Sequence, residues 1–403
     1  MTQIESSNKE QTLVEQAAIE SPVIIVGTGL AGYTVARELR KLDSAVCIVL
    51  ITQDDGSFYS KPTLSNALAM KKDARALATF DVAAMSTQLN ASIRTHQRVE
   101  RILPAEHEIV VAGEHLRYSK LVLATGADPR RPPVEGSGAA NIVSINDLDD
   151  YARFSDALKN CTSVAILGAG LIGCEFANDL ASSGYEVSVI DPASTPLARL
   201  LPKQVGVVFA RGLDESGIRF HLGRSVATVE QHKTAYRLTF TDGGHLDADL
   251  VVSAIGLAPR TALPSSAGIE VAQGISTDAW CRTSAPDVYA LGDCAAMDGK
   301  MRPYVLPIMH SARALARTLA GNLTRVTFPV MPITVKTPAT PAIVVAPEAA
   351  EGEWLVEAVA NLARNTARAI CKHPQSGEPL GFALLGAATE GKAALIKAMT
   401  PAA

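Results

Sequence analysis

Gly27-Thr28-Gly29-Leu30-Ala31-Gly32 and Gly168-Ala169-Gly170-Leu171-Ile172-Gly173 are two copies of a G-x-G-x-x-G pattern, each between a short apolar run and a stretch at helical period. In that setting the residue types fit dinucleotide binding. The first glycine permits a tight turn and the second lets the backbone approach a pyrophosphate. The third lets helix and strand pack closely, while the helix start offers N–H donors to the phosphates. Two copies imply two nucleotide sites. The residue closing the following strand separates them. After Gly168 it is Asp191, whose carboxylate suits a ribose hydroxyl and repels a 2′-phosphate; with Arg199 the nearest arginine, NAD is favoured over NADP. After Gly27 the place falls to Thr52-Gln53, with Asp54 and Asp55 just beyond. Gln53 can take over the hydrogen bond, and the two acids read equally as a displaced carboxylate or as turn residues before Gly56.

The elements that must position these loops follow from the apolar pattern. Val23–Val26, a run buried on both faces, is followed by a helix over Leu30–Leu42 and a second run over Ala45–Ile51. The same grammar recurs as Ser163–Leu167, a helix over Leu171–Ser183 and Glu186–Ile190. Lys120–Ala124 is a further buried strand, ending in Thr125-Gly126 and the turn-rich Ala127–Pro133, a crossover between domains. Ala248–Ile255 ends at Gly256, and Val288–Leu291 runs into Gly292-Asp293. Five prolines between Pro329 and Pro347 predict edge strands and extended chain, and residues 348–403 read as a small mixed module.

The chain has 403 residues, enough for two or three domains, and 47% apolar content for their cores. Its formal net charge of −4 lacks the basic excess of a dedicated nucleic-acid or anionic-membrane binder. The six cysteines make no C-x-x-C and the eight histidines no ligand spacing, so no metal is expected, nor a dithiol between near neighbours in sequence. The N-terminus has no apolar signal region and no run approaches a membrane span, which predicts a cytoplasmic protein.

Gly27–Gly32, Ala124-Thr125-Gly126, Gly168–Gly173, Ala254-Ile255-Gly256 with Pro259, and Tyr289–Asp293 stand in the order found in the FAD-dependent pyridine nucleotide oxidoreductases, which the chain resembles over roughly residues 22–320. The stretches Tyr59–Ser65, Gly170–Leu180, Tyr304–Pro307 and Val335–Pro338 look most like the rubredoxin-reducing branch of alkane-degrading bacteria. The resemblance implies an α/β fold of two Rossmann-like dinucleotide-binding domains plus a small C-terminal α+β domain. These are an extension over 1–19, an FAD-binding domain over 20–128 and 263–322, an NAD-binding domain over 129–262 and a C-terminal domain over 323–403. It implies FAD in the first site, NAD(H) in the second, and electrons passed one at a time to an acidic rubredoxin serving an alkane hydroxylase.

The resemblance also implies roles for particular residues. Asp293 hydrogen-bonds the flavin's ribityl chain, Gly292 allows its close approach, and Val305 meets the isoalloxazine ring through its backbone. Thr125 and Gly126 belong to the same site, and Val99 meets the adenine. Lys61 stands where disulfide reductases of the larger family carry their redox cysteines; with Glu175 it forms a buried pair beside the reacting rings. Lys336 places positive charge near the flavin's pyrimidine edge, and Gly256 lines the nucleotide side. On residue type alone, the alternatives are a solvated loop lysine for Lys61 and a carboxylate favoured by a helix start for Glu175, while Cys174 reads as a small buried hydrophobe rather than a reactive thiol. Candidate basic patches for an acidic partner are Arg313 with Arg317, Arg130 with Arg131, and Lys392 with Lys397. Competing functions are transfer to a ferredoxin, ascorbate radical or O₂ on the same chassis, and a non-catalytic redox-sensing scaffold.

Overall fold

The computed structural model describes residues 21–347, 352–357 and 365–400, so the extension over 1–19 lies outside the described residues. These gather into two compact units, one of residues 21–60, 78–128 and 258–328, the other of residues 61–77, 129–257 and 329–400. Residues 61–77, assigned by the resemblance to the FAD-binding domain, cluster with the second unit.

Along the chain, β1 (Val23–Val26) leads through Gly27–Gly29 into α1 (Leu30–Leu42), and β2 (Ile48–Ile51) follows. The first three residues after Ser44 stay outside β2 because the Asp43 carboxylate accepts the Ala45 and Val46 N–H groups at 2.8 and 3.1 Å, folding a local turn where a strand over Ala45–Ile51 is predicted. β3 (Lys120–Leu123) lies on the other side of β1. In the second unit β4 (Ser163–Leu167), α2 (Leu171–Ser182) and β5 (Glu186–Asp191) repeat the pattern, and β6 (Leu250–Ser253) flanks β4. The chain then returns to the first unit with β7 (Val288–Ala290) and α3 (Val305–Leu319).

The two sheets have the same parallel plan. In the first, the order is β7, β3, β1, β2 and Ser92–Arg94; in the second, Ile218–Leu222, β5, β4, β6 and Val143–Ser144. Each glycine loop thus leaves the C-terminal end of a central strand, beside the crevice where an α/β sheet binds ligands. β1 is buried along its whole length, as a strand covered on both faces must be. The amphipathic face of α1, with Tyr33, Val35 and Leu39 at 0% exposure, packs with Leu315 of α3 over one side of the sheet. Each such fully buried aliphatic side chain contributes roughly 1.5–3 kcal/mol relative to exposure.

The C-terminal residues of the second unit form a five-stranded antiparallel sheet in the order Ile333–Val335, Ala342–Val345, Pro379–Leu385, Ala367–Lys372, Glu353–Glu357. Ile333–Val335 is an edge strand, as its prolines predict, but Ala342–Val345 is interior and fully buried. Pro341 and Pro347 bracket that strand rather than interrupt it, so no ladder donor is lost. The helix Lys392–Met399 covers one face through Leu395, Ile396 and Met399. Among the described residues, no helix is long and apolar enough to cross a membrane.

Candidate functional site

The first glycine loop is a cradle that only glycine fills. Gly27 sits at φ +109°, and a Cβ there would lie 2.2 Å from the Ala124 carbonyl oxygen; a Cβ on Gly32 would lie 1.9 Å from the Gly27 oxygen. Gly29, by contrast, faces open space. It caps α1 without a side-chain hydrogen bond, and the first turn carries no acid, so the helix N–H groups are left for an anion. These features fit a dinucleotide pyrophosphate. Leu30 and Ala31 begin α1, and the Ala31 methyl stands 3.0 Å from a Cβ built on Gly292, itself at φ +83°. Asp293 follows in the short 3-10 turn Gly292–Cys294. The concavity beside Gly292 is walled by Met297, Arg302, Pro307, Ile308 and Ser311. Val305 opens α3 and is 41% exposed. Thr125 and Gly126 follow β3, with the Thr125 hydroxyl 3.5 Å from the Arg260 carbonyl, and Val99 is buried at the start of Val99–Leu103.

The structure gives Asp54 a definite task. Its Oδ1 accepts from the Thr28 hydroxyl at 3.2 Å, the Thr52 hydroxyl at 2.6 Å and the Gly56 N–H at 3.0 Å, tying the end of β2 to the glycine loop. Thr28 and Thr52 are buried and Gln53 is exposed. The neighbouring Tyr33 donates to the Gly56 carbonyl, and burial, with Asp54 and Asp55 nearby, pushes its phenol well above the usual range.

The second loop repeats the geometry in its own unit. A Cβ on Gly168 would lie 2.6 Å from the Ala254 oxygen and one on Gly173 2.0 Å from the Gly168 oxygen, while Gly170 faces open space and caps α2. Asp191 ends β5 and accepts the Ala169 N–H and the Ala193 N–H, both at 2.7 Å. An ionised carboxylate has about four acceptor sites, so a ribose hydroxyl can still be taken. Gly256 follows β6 at φ +106°, with open space where a Cβ would stand.

Also in the second unit, α2 holds a buried polar cluster. Glu175 is 2% exposed, and its carboxylate accepts from the Ser65 hydroxyl at 2.6 Å, the Lys336 N–H at 2.9 Å and the Lys336 ammonium at 2.8 Å. Lys336 is thus a cation bonded to Glu175, in the same unit as Lys61. The Lys336 N–H also binds Glu175, which sets the Lys336 side chain alongside. Lys336 donates further to Ser65, Asn66 and the Pro62 carbonyl. Lys61 opens the 3-10 segment Lys61–Asn66 and donates to Asn146 Oδ1 at 2.6 Å, so it is no free loop lysine. One turn beyond Glu175, Asp179 is 0% exposed and accepts the Leu68 and Ala69 N–H groups at 3.1 and 2.9 Å. Burial raises its carboxyl to about 6, against the pull of those donors and of Lys336. Asn178 Oδ1 accepts the Ala339 N–H at 3.2 Å. Cys174 is fully buried, and burial pushes its thiol far above the reactive range.

Sequence reasoning gave no role to Ser65 and Asp179, though both lie in stretches it singled out, nor to Asn66 and Asn146. A signal existed for Asp179: it and Glu175 are acids four apart on an otherwise apolar helix, hence on one face.

Residues 21–315 match the family Pyridine nucleotide-disulphide oxidoreductase, and residues 325–399 match the Rubredoxin binding C-terminal domain. A rubredoxin-NAD(+) reductase of Alcanivorax borkumensis is 46% identical over 93% of this chain and 98% of its own. One of Acinetobacter baylyi is 44% identical over 92% and 95%. Among solved structures, a ferredoxin reductase of Rhodopseudomonas palustris superposes with TM-score 0.85 at 25% identity, covering 95% of this chain and 96% of that one.

Proposed function

The chain belongs to the pyridine nucleotide-disulphide oxidoreductase family, and from that premise we propose that it is an NADH-dependent FAD flavoprotein passing electrons singly to rubredoxin. One observation carries the acceptor: the same chain joins two glycine cradles to a C-terminal sheet matching a rubredoxin-binding domain, and relatives of that name span nearly its whole length. FAD, when bound, takes the two electrons of a hydride together and releases them one at a time, as a one-iron acceptor requires.

On this reading the chain's own residues bind, orient and balance charge. The Gly27–Gly32 loop and the start of α1 hold the FAD pyrophosphate, with Asp293 on the ribityl chain, Gly292 and Thr125-Gly126 beside it, Val305 toward the ring and Val99 toward the adenine. Gly168, Gly170 and Gly173 hold that of NADH, Asp191 selects the unphosphorylated ribose, and Gly256 lines the same side. The cluster of Lys61, Glu175 and Lys336 fixes charge for the reaction, with Lys336 supplying the positive charge that favours reduced, anionic flavin. The further readings we add are a place in the cytoplasm and supply of an alkane hydroxylase.

Stopped-flow mixing of the purified flavoprotein with NADH and then oxidised rubredoxin tests the proposal, with NADPH and ferredoxin as comparators. We expect rapid flavin bleaching by NADH, slower bleaching by NADPH, and rubredoxin reduction that weakens with salt. Flavin reduction without rubredoxin turnover would move the acceptor elsewhere; no flavin reduction would favour a redox-sensing scaffold.

A further inference from the structure

The first glycine loop lacks an acid at the strand end where the second has Asp191. Thr52 fills that place, as the backbone of each unit shows. Gly27 and Gly168 donate to the carbonyls of Ile51 and Ile190, both at 2.8 Å, so Thr52 and Asp191 come next in the same register. Their own carbonyls accept in the same way, from the N–H of Gln97 at 2.9 Å and that of Arg224 at 3.1 Å. Thr52 is buried, and its hydroxyl proton goes to Asp54.

Asp54, two residues further on, makes the contacts that Asp191 makes in its own unit. Asp191 accepts from the second loop residue, Ala169, and from the N–H two residues ahead, that of Ala193. Asp54 accepts from the second loop residue, Thr28, and from the N–H two residues ahead, that of Gly56. Thr28 supplies a hydroxyl where the second loop has Ala169, which lets the displaced acid reach the loop. Asp55 is spent on its own turn, where its oxygens take the Ser57 N–H and hydroxyl, each at 2.9 Å. On Asp54, all three donors reach Oδ1. The residue is exposed, and among the described residues none donates to its Oδ2. An ionised carboxylate has about four acceptor sites, so that oxygen can take a further donor.

We infer that Asp54 holds the adenosine ribose of FAD, its Oδ2 accepting from a ribose hydroxyl, two positions beyond the strand end where such an acid ordinarily stands. The inference rests on FAD being the ligand of the first loop, as proposed above. It gives the ribose to Asp54 in place of Gln53, and it gives Thr28 and Thr52 the task of aiming the acid.

The test pairs Asp54→Asn with the 2′,3′-dideoxyadenosine analogue of FAD, which lacks both ribose hydroxyls. Full-length protein is reconstituted with either flavin, and Kd is read from flavin fluorescence. Asn keeps a carbonyl for the three turn donors and presents an amide N–H₂ in place of Oδ2, so the turn survives and the acceptor is lost. We expect wild-type protein to bind FAD about tenfold more tightly than the analogue, as a hydrogen bond to a charged acceptor implies. Asp54→Asn should weaken FAD about tenfold and leave the analogue unchanged, so that the two losses do not add. Equal weakening of both flavins would reduce Asp54 to a turn residue and overturn the inference, as would wild-type protein that does not discriminate. If the Asn variant does not fold, two others decide. Discrimination must fall in Thr28→Val, which unties the acid from the loop, and persist in Gln53→Ala; either opposite result overturns the inference. Wild-type protein that binds no FAD would instead strike the proposed function.

Discussion

At the scale of single residues, the charges on α2 do opposite things to stability and to the site. Asp179 keeps its proton to about pH 6 in the folded chain, against about 4 when unfolded. Between those values the folded state binds more protons, so the stability owed to this residue is greatest at low pH and declines as pH rises through 6. Relative to Asp179→Asn, the wild-type protein should therefore gain melting temperature as pH falls from 7 to 4, and the difference should be flat above about pH 7. A difference that does not change with pH would refute the assignment. Little of this was legible in advance: the sequence marks Glu175 and Asp179 as acids on one helical face, but which groups meet them depends on the packing of residues 61–69 and 335–340 against that face. Lys61 and Lys336 are equally basic in the sequence. What residue type could not show is that the Lys336 backbone also contacts Glu175.

At the scale of elements, the two strand–loop–helix units were readable almost to the residue, because a buried parallel strand is a continuous apolar run and G-x-G-x-x-G marks its end. The boundaries that moved did so where side chains intervene, as at Asp43, or where a proline-flanked run is interior, as at Ala342–Val345. The loop glycines separate into two kinds that the pattern cannot tell apart. A methyl at Gly173 would meet the Gly168 carbonyl, so Gly173→Ala should cost about 1–3 kcal/mol or more, seen in denaturant unfolding. A methyl at Gly170 meets no protein atom; Gly170→Ala should melt like wild type yet raise the KM for NADH roughly tenfold, the penalty of about 1.4 kcal/mol for crowding a bound pyrophosphate. Equal behaviour of the two variants would mean that the loop has no ligand to approach.

At the scale of the whole molecule, a chain of net charge −4 must attract an acidic partner through a local patch. Arg313, Arg317, Arg130, Arg131, Lys392 and Lys397 are all exposed, but only the last two lie within residues 325–399. Charge reversal of Lys392 and Lys397 to Glu should lower kcat/KM for rubredoxin about tenfold at low ionic strength and flatten its salt dependence, with NADH-driven ferricyanide reduction unchanged. Unaltered rubredoxin kinetics would exclude that helix as the contact. The bond between Glu175 and Lys336 spans 161 positions. During synthesis the second nucleotide loop and α2 emerge long before residue 336 does. Until then the N–H and ammonium of Lys336 from which Glu175 accepts are missing, and a buried carboxylate short of its partners is costly. A chain cut short before Lys336 would leave Glu175 without two of its bonds, so this buried cluster is completed only when the C-terminal segment arrives.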